Sequence, residues 1–266
     1  MARSALLEIQ QISRSVKEPG KPLQLLLQGV SLSMAAGERL ALFSTTNREA
    51  QSLLRCAAGV DSPDSGRVLQ HGSVSWPVGQ DEAFSNKLSG YENVRFPLAI
   101  YGRPGWMTQE LALIEEFSGI DRQRLQDPLS SFNGDLKTRL AMAIPLALEF
   151  DLYPIVKLPG MDVVTPSSRG RLLLDRLTNE LADAALLVAA NDLWDFSQAV
   201  CHEGLVLIGG CIVYRGDLEV CREMISEERL RLREQQRQAM LAAADAVMSG
   251  SDRDFSASEN DLESAV

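Results

Sequence analysis

The sequence predicts an α/β fold carrying two appended lobes, and three observations support it. Apolar segments of strand length alternate with amphipathic helical segments, the pattern of a sheet covered by helices. The first 43 residues contain only strand-like segments, which predicts an antiparallel β lobe. Residues 89–129 carry apolar positions at three- and four-residue steps, which predicts a helical lobe.

Each element follows in order. Residues 6–9 and 23–27 are candidate strands around the turn Pro19-Gly20-Lys21-Pro22, and Val30-Ser31-Leu32-Ser33-Met34 alternates as a half-buried strand does. A turn at Ala36-Gly37-Glu38 leads to a buried strand over 39–43. A helix is expected over 50–58, with Leu53, Leu54 and Ala57 on one face and Gly59 as its stop. Turn formers at 61–66 precede short strands at 67–69 and 73–76. In the helical lobe, helices are expected over 92–100 and 108–118, and Phe132-Asn133-Gly134 opens another over 137–150 despite Pro145. A strand over 152–158, a helix over 169–182 and a buried strand over 185–190 come next, then a hairpin of 205–208 and 211–214 turning at Gly209-Gly210. Residues 218–248 form a long polar helix with Glu227 and Arg231 at i,i+4. The last 18 residues hold five acids and one arginine among Ser and Gly, so a disordered tail is expected there. The expected organisation is a domain over 1–220 with its helical lobe at about 89–150, a C-terminal helix over 221–248 and an acidic tail over 249–266.

Composition narrows the function. With 26 Lys and Arg against 36 Asp and Glu, the net charge is −10, and no basic surplus exists to neutralise nucleic-acid phosphates. The most apolar runs, 144–148 and 184–190, fall far short of the roughly 20 residues a spanning helix needs. Glu8 arrives too early for a secretory apolar region. Cys56, Cys201, Cys211 and Cys221 form no C-x-x-C pair, so reduced thiols in a cytoplasmic protein are expected. Zinc on the last three would have to tolerate ten-residue spacing in a chain with two histidines, and ordinary thiols are the expected reading.

The order of these pieces resembles the nucleotide-binding domain of an ABC transporter, in the branch that exports capsular and other surface polysaccharides. The likeness rests on Gly59-Val60-Asp61-Ser62-Pro63-Asp64-Ser65-Gly66, on Ser75-Trp76-Pro77, and on Leu88-Ser89-Gly90-Tyr91-Glu92-Asn93-Val94-Arg95-Phe96. Arg139-Leu140-Ala141 and Glu149-Phe150-Asp151 ahead of Tyr153 add to it. The resemblance covers about residues 5–220 and implies a P-loop NTPase-like (RecA-like) core sheet with an antiparallel β lobe and a helical lobe, the ABC ATPase type.

The same resemblance assigns each chemical motif a position, and those positions are altered. A phosphate loop needs glycines, a lysine on the β/γ-phosphates and a hydroxyl on Mg²⁺. Here it reads Ser44-Thr45-Thr46-Asn47-Arg48-Glu49-Ala50-Gln51-Ser52, with Ala50 at the lysine and Gln51 at the hydroxyl. Ser44, Thr46, Asn47 and Ser52 remain as polar groups for any vestigial nucleotide contact, and Arg48 is a solvated arginine rather than a substitute cation. The adenine-stacking aromatic is Val16, and the metal-binding aspartate and glutamate base are Val156 and Lys157. Asp162 follows a strand-ending Pro159-Gly160 and is a poor stand-in. The switch histidine is Ala190, with His202 too far along the chain, and Gln80 reads as a turn residue. The signature segment is Asn133-Gly134-Asp135-Leu136, so Asp135 brings a carboxylate to a γ-phosphate position.

Scaffold kept and chemistry lost imply a catalytically inactive structural or regulatory subunit, cytoplasmic and peripheral at the inner face of the cell membrane. The expected partner is a membrane permease, with an active ATPase paralogue or a second copy beside it, and no cofactor. The alternatives are a divergent ATPase that still uses ATP and Mg²⁺, and a soluble regulator acting through its C-terminal helix and tail.

Overall fold

The computed structural model describes residues 5–20, 22–81, 84–160 and 167–260, with side chains as far as 242. The chain divides into two compact units, Met1–Arg222 and Glu223–Val266.

The first unit opens with β1 (Ala5–Val16) and β2 (Gln24–Ala35), paired antiparallel. The two strands expected over 23–34 are one. Between the pairs Ile12↔Val30 and Arg14↔Leu27 the register shifts, and Gly29 takes φ 60°, so the apparent break is a bulge inside a continuous strand. β3 (Arg39–Ser44) is wholly buried and leads to α1 (Asn47–Ala57); β4 (Ser65–Gln70) then pairs with the other edge of β1. The strand expected over 73–76 is instead a pair of isolated parallel bridges, Val74 to Leu152 and Val78 to Ile155. Pro77, lacking an amide proton, interrupts the ladder between them.

The helical lobe contains α2 (Gly90–Tyr101), α3 (Met107–Ser118), the single turn α4 (Arg122–Leu125) and α5 (Gly134–Ala147). Ser89 and Glu92 form a capping box that starts α2. Asn133 caps α5 through a 2.8 Å bond from the Leu136 amide, which starts that helix three residues earlier than the apolar spacing indicates. It also ends early, at Ala147, where Leu148 turns extended and its amide closes the last turn on the Pro145 carbonyl at 3.2 Å.

The main sheet is completed by β5 (Leu152–Ile155), β6 (Ala185–Ala189), β7 (Glu203–Ile208) and β8 (Cys211–Gly216), in the order β5-β6-β3-β7-β8. All pairings are parallel except the terminal β7–β8 hairpin. Between β5 and β6 runs α6 (Ser168–Asp175), which continues as a wider π turn over Arg176–Glu180, and α7 (Trp194–Val200) links β6 to β7. β5 stops at Ile155 rather than 158 because the amides of Val156 and Lys157 both turn to the Val78 carbonyl, at 3.1 and 3.2 Å. Leu40, Leu42, Leu187 and Leu205 of the sheet pack with Leu53 and Leu54 of α1 in one buried core.

α8 runs from Leu218 to Asn260 and makes up most of the second unit. The tail expected to be disordered from residue 249 is therefore helical as far as Asn260. No proline follows Pro166, and the lone Gly250 costs a helix only about 1 kcal/mol. Residues 261–266 lie outside the described residues. No helix among the described residues is long and apolar enough to cross a membrane.

Candidate functional site

Parallel α/β sheets gather their ligand sites at the carboxyl ends of the strands. There, the segments that follow β3, β5 and β6, with Ala189 at the end of β6, line a cavity of about 310 Å³. Its wall includes Asn47, Ala50 and Gln51 of α1, Val156 and Lys157 after β5, and Asn191 after β6. Five residues singled out in the sequence thus meet in one place.

The segment from Ser44 to Gln51 is not an open loop. Helix α1 starts at Asn47, three residues before the expected Ala50, because Thr46 and Glu49 form a capping box. The Glu49 carboxylate accepts from the Thr46 amide at 2.9 Å and from Thr45 Oγ1 at 2.5 Å, and its side chain is buried, with the residue only 6% exposed. Three more amides of the segment are bonded within the protein. Ser44 N donates to Asn191 Oδ1 at 3.2 Å, Thr45 N to the Leu207 carbonyl at 3.3 Å and Glu49 N to Thr46 Oγ1 at 3.3 Å. A phosphate cradle needs such amides free and convergent, whereas here they are spent inside the protein.

Asn191 is the residue that sequence reasoning missed. Its Nδ2 donates to the Ser44 carbonyl at 3.1 Å and to Asn47 Oδ1 at 3.0 Å, while Asn47 Nδ2 donates to Asp192 Oδ2 at 3.0 Å. An Asn-Asp pair immediately after the buried strand that ends at Ala189 was the available signal.

Among the described lining residues Asp192 is the one carboxylate, and it already accepts from Asn47. Gln51 and the buried Val156 offer no anionic ligand, and Lys157 is a cation where a base would be required. Asp162 lies outside the described residues. No cluster of three His, Cys, Asp or Glu side chains suited to a metal occurs among the described residues. Ala190 is buried at the start of a short 3-10 turn, and Ser52 is buried with its hydroxyl unpartnered among the described residues.

Other expected positions lie away from the cavity wall. Val16 ends β1 opposite Gln24. Asn133 is occupied as the α5 cap, and Asp135 forms an ion pair with Arg139 one turn on, beside the exposed Gly134. Arg48 pairs with Glu18 at 2.5 Å and donates to Gln24 at 2.9 Å, so it is held on the β-lobe side. Gln80 accepts from Arg55 at 3.3 Å, and Arg55 also grips Asp61 at 2.7 Å. The hydrogen bond from Arg55 is the main reason the Asp61 carboxyl is held below its usual range. His202 is exposed, and all four cysteines are free thiols.

A second, apolar hollow of about 370 Å³ opens on the helical lobe among Trp76, Phe84, Leu88, Phe96, Tyr101 and Ile144. Phe96, Ile100 and Tyr101 on α2 are 69%, 56% and 54% exposed. Trp76, Tyr101 and Phe150 brace its floor, with ring centroids 5.7 to 5.9 Å apart. Asn93 fixes the preceding loop by accepting from Ser85 N at 2.8 Å and donating to the Ser89 carbonyl at 2.8 Å.

Comparison with known proteins agrees with this architecture. No family model matches the chain. It is 28% identical over 151 residues to a polysialic acid transport ATP-binding protein, KpsT, of Escherichia coli, covering 56% of this chain and 68% of that one. It is 34% identical over 129 residues to the capsule polysaccharide export ATP-binding protein CtrD of Neisseria meningitidis serogroup B, covering 48% and 58%. The match to CtrD therefore spans less than two thirds of that relative's length. Among solved structures, the dimeric bacterial ABC transporter cassette MJ0796 superposes with a TM-score of 0.61 over 80% of this chain and 98% of its own, at 16% identity. That likeness concerns the fold alone. The chain is thus similar in sequence to ATP-binding proteins of capsule polysaccharide export and shares the fold of an ABC transporter cassette.

Proposed function

We propose that this chain is the cassette subunit of a surface-polysaccharide exporter, that it has lost ATP hydrolysis, and that it serves the transporter as a structural or regulatory part. One observation carries this reading: the amides of Ser44, Thr45, Thr46 and Glu49 are bonded within the protein, and Glu49 supplies the acceptor a phosphate would otherwise be. Ala50, Val156 and Lys157 at the cation, metal-ligand and base positions support it independently, since each removes a different component of phosphoryl transfer.

The hollow on the helical lobe supports the membrane partner. Large aromatic side chains left exposed beside a fixed, capped α2 are the composition of a helix-binding groove. In this reading a cytoplasmic helix of a permease lies against Phe96 and Tyr101, and a competent ATPase paralogue or a second copy completes the assembly. Co-expression with a six-helix permease tests it. A detergent-stable complex that hydrolyses no ATP unless an intact ATPase is added is the expected result. Hydrolysis by a complex holding this chain as its only cassette would refute the proposal.

A further inference from the structure

The cavity at the sheet's carboxyl edge persists although nucleotide chemistry has left it. We propose that it is a binding site for a small carboxylate with an apolar body, held by the ammonium of Lys157. The inference rests on the reading above that the loop amides are bonded within the protein, and extends it from lost hydrolysis to lost nucleotide binding.

Three features define the ligand. The first is charge. Lys157 and Asp192 are the charged residues on the wall; Asp192 already accepts from Asn47 Nδ2 at 3.0 Å, while no carboxylate among the described residues pairs with Lys157. One unspent cation selects one negative charge.

The second is the lining. Ala50, Val156, Leu158, Pro159, Ala189 and Leu193 supply an apolar surface that would leave a bare hydrated anion poorly matched. Gln51 adds an amide with no partner among the described residues, available for a second carboxylate oxygen. The third is size: about 310 Å³ lies at the small end of ligand cavities and suits a ring or short aliphatic chain.

The backbone holds the cation in place. Gly79 adopts φ 84°, and a Cβ there would stand 2.4 Å from the Lys157 carbonyl oxygen. Val156 and Lys157 are tied to Val78 by amide bonds of 3.1 and 3.2 Å. The stem of Lys157 therefore leaves a fixed point at the cavity wall.

Calorimetric titration of the full chain with benzoate tests the site, with benzamide as the uncharged isostere and inorganic phosphate as an anion without an apolar body. Saturable one-to-one benzoate binding is expected, with benzamide and phosphate about tenfold weaker or worse. Lys157→Gln should reduce benzoate to the level of benzamide, and Lys157→Arg should keep it within about threefold. Lys157 is exposed, so both variants retain the fold. Benzoate affinity unchanged in Lys157→Gln, or no heat up to about 10 mM benzoate, overturns the inference while leaving the proposed function standing. Saturable Mg-ATP binding in a parallel titration overturns this site, whereas ATP hydrolysis by the chain is what refutes the proposed function.

Discussion

Two faces of the first unit match the cassette pattern that the sequence resembles to different degrees. At the carboxyl edge of the main sheet, the positions that the resemblance assigns to ATP hold Ala50, Gln51, Val156 and Lys157, and the residues just before Ala50 are wound into α1. On the helical lobe, the Ser-Trp-Pro segment, the Ser89–Glu92 capping box, Asn93 and the exposed aromatics of α2 all remain, and they assemble as one surface. In the proposed reading the departure from the cassette pattern is local and chemical and leaves the scaffold intact. The loop carries side chains that satisfy one another, as Glu49 and Thr46 do. Residues of the proposed docking face also start and fix helices.

The largest effect that would break this contrast is on the docking face. Phe96→Glu places a charge on a side chain that makes little use of the core, so the fold should persist while recovery of the permease complex falls at least about tenfold. Pull-down of the variant at wild-type yield would show that the aromatic face is not the contact. Next in size is the altered loop. Glu49→Ala removes the reciprocal cap of α1 and should cost about 1 to 2 kcal/mol in urea unfolding, without conferring Mg-ATP binding. An Mg-ATP affinity gained by that variant would mean that Glu49 alone blocks an otherwise competent site.

A smaller effect should appear at Asp61. Its folded carboxyl titrates below its unfolded value, so the Arg55 pair stabilises the chain above about pH 4 and is lost as pH falls through the folded value. Asp61→Asn should cost about 1 kcal/mol at pH 7, shrinking steadily in acid, as thermal unfolding at a series of pH values would show. A cost independent of pH would contradict the ion-pair origin. The smallest effect is kinetic. Burial pushes the Cys56 and Cys221 thiols up to about 11 and Cys201 up to about 12, whereas Cys211 on β8 is partly accessible. Limited alkylation at pH 8, read by mass spectrometry, should label Cys211 first.

Much of the fold was legible because it depends on local periodicity. The buried runs at β3 and β6, the glycine turn of the β7–β8 hairpin and the capped helices of the middle lobe all follow from residue spacing. The remainder depended on partners distant in sequence. Gly29 looked like a break, yet pairing with β1 absorbs it as a bulge. Thr46-x-x-Glu49 is a helix start visible in the sequence, and comparison with a phosphate loop hid it. Asn191 was unremarkable until the fold brought it to Ser44 and Asn47, 147 and 144 residues away in the chain. For the site, sequence named Asn47, Ala50, Gln51, Val156 and Lys157 together, but not the bonds that close the loop over them.

The most direct test of lost nucleotide chemistry is equilibrium binding of ATP to the purified chain in the presence of Mg²⁺, by calorimetry or with a fluorescent analogue. With the loop amides spent on Glu49, Asn191 and Leu207, no saturable binding tighter than about 1 mM is expected. A Kd in the micromolar range that disappears when Mg²⁺ is chelated would contradict it.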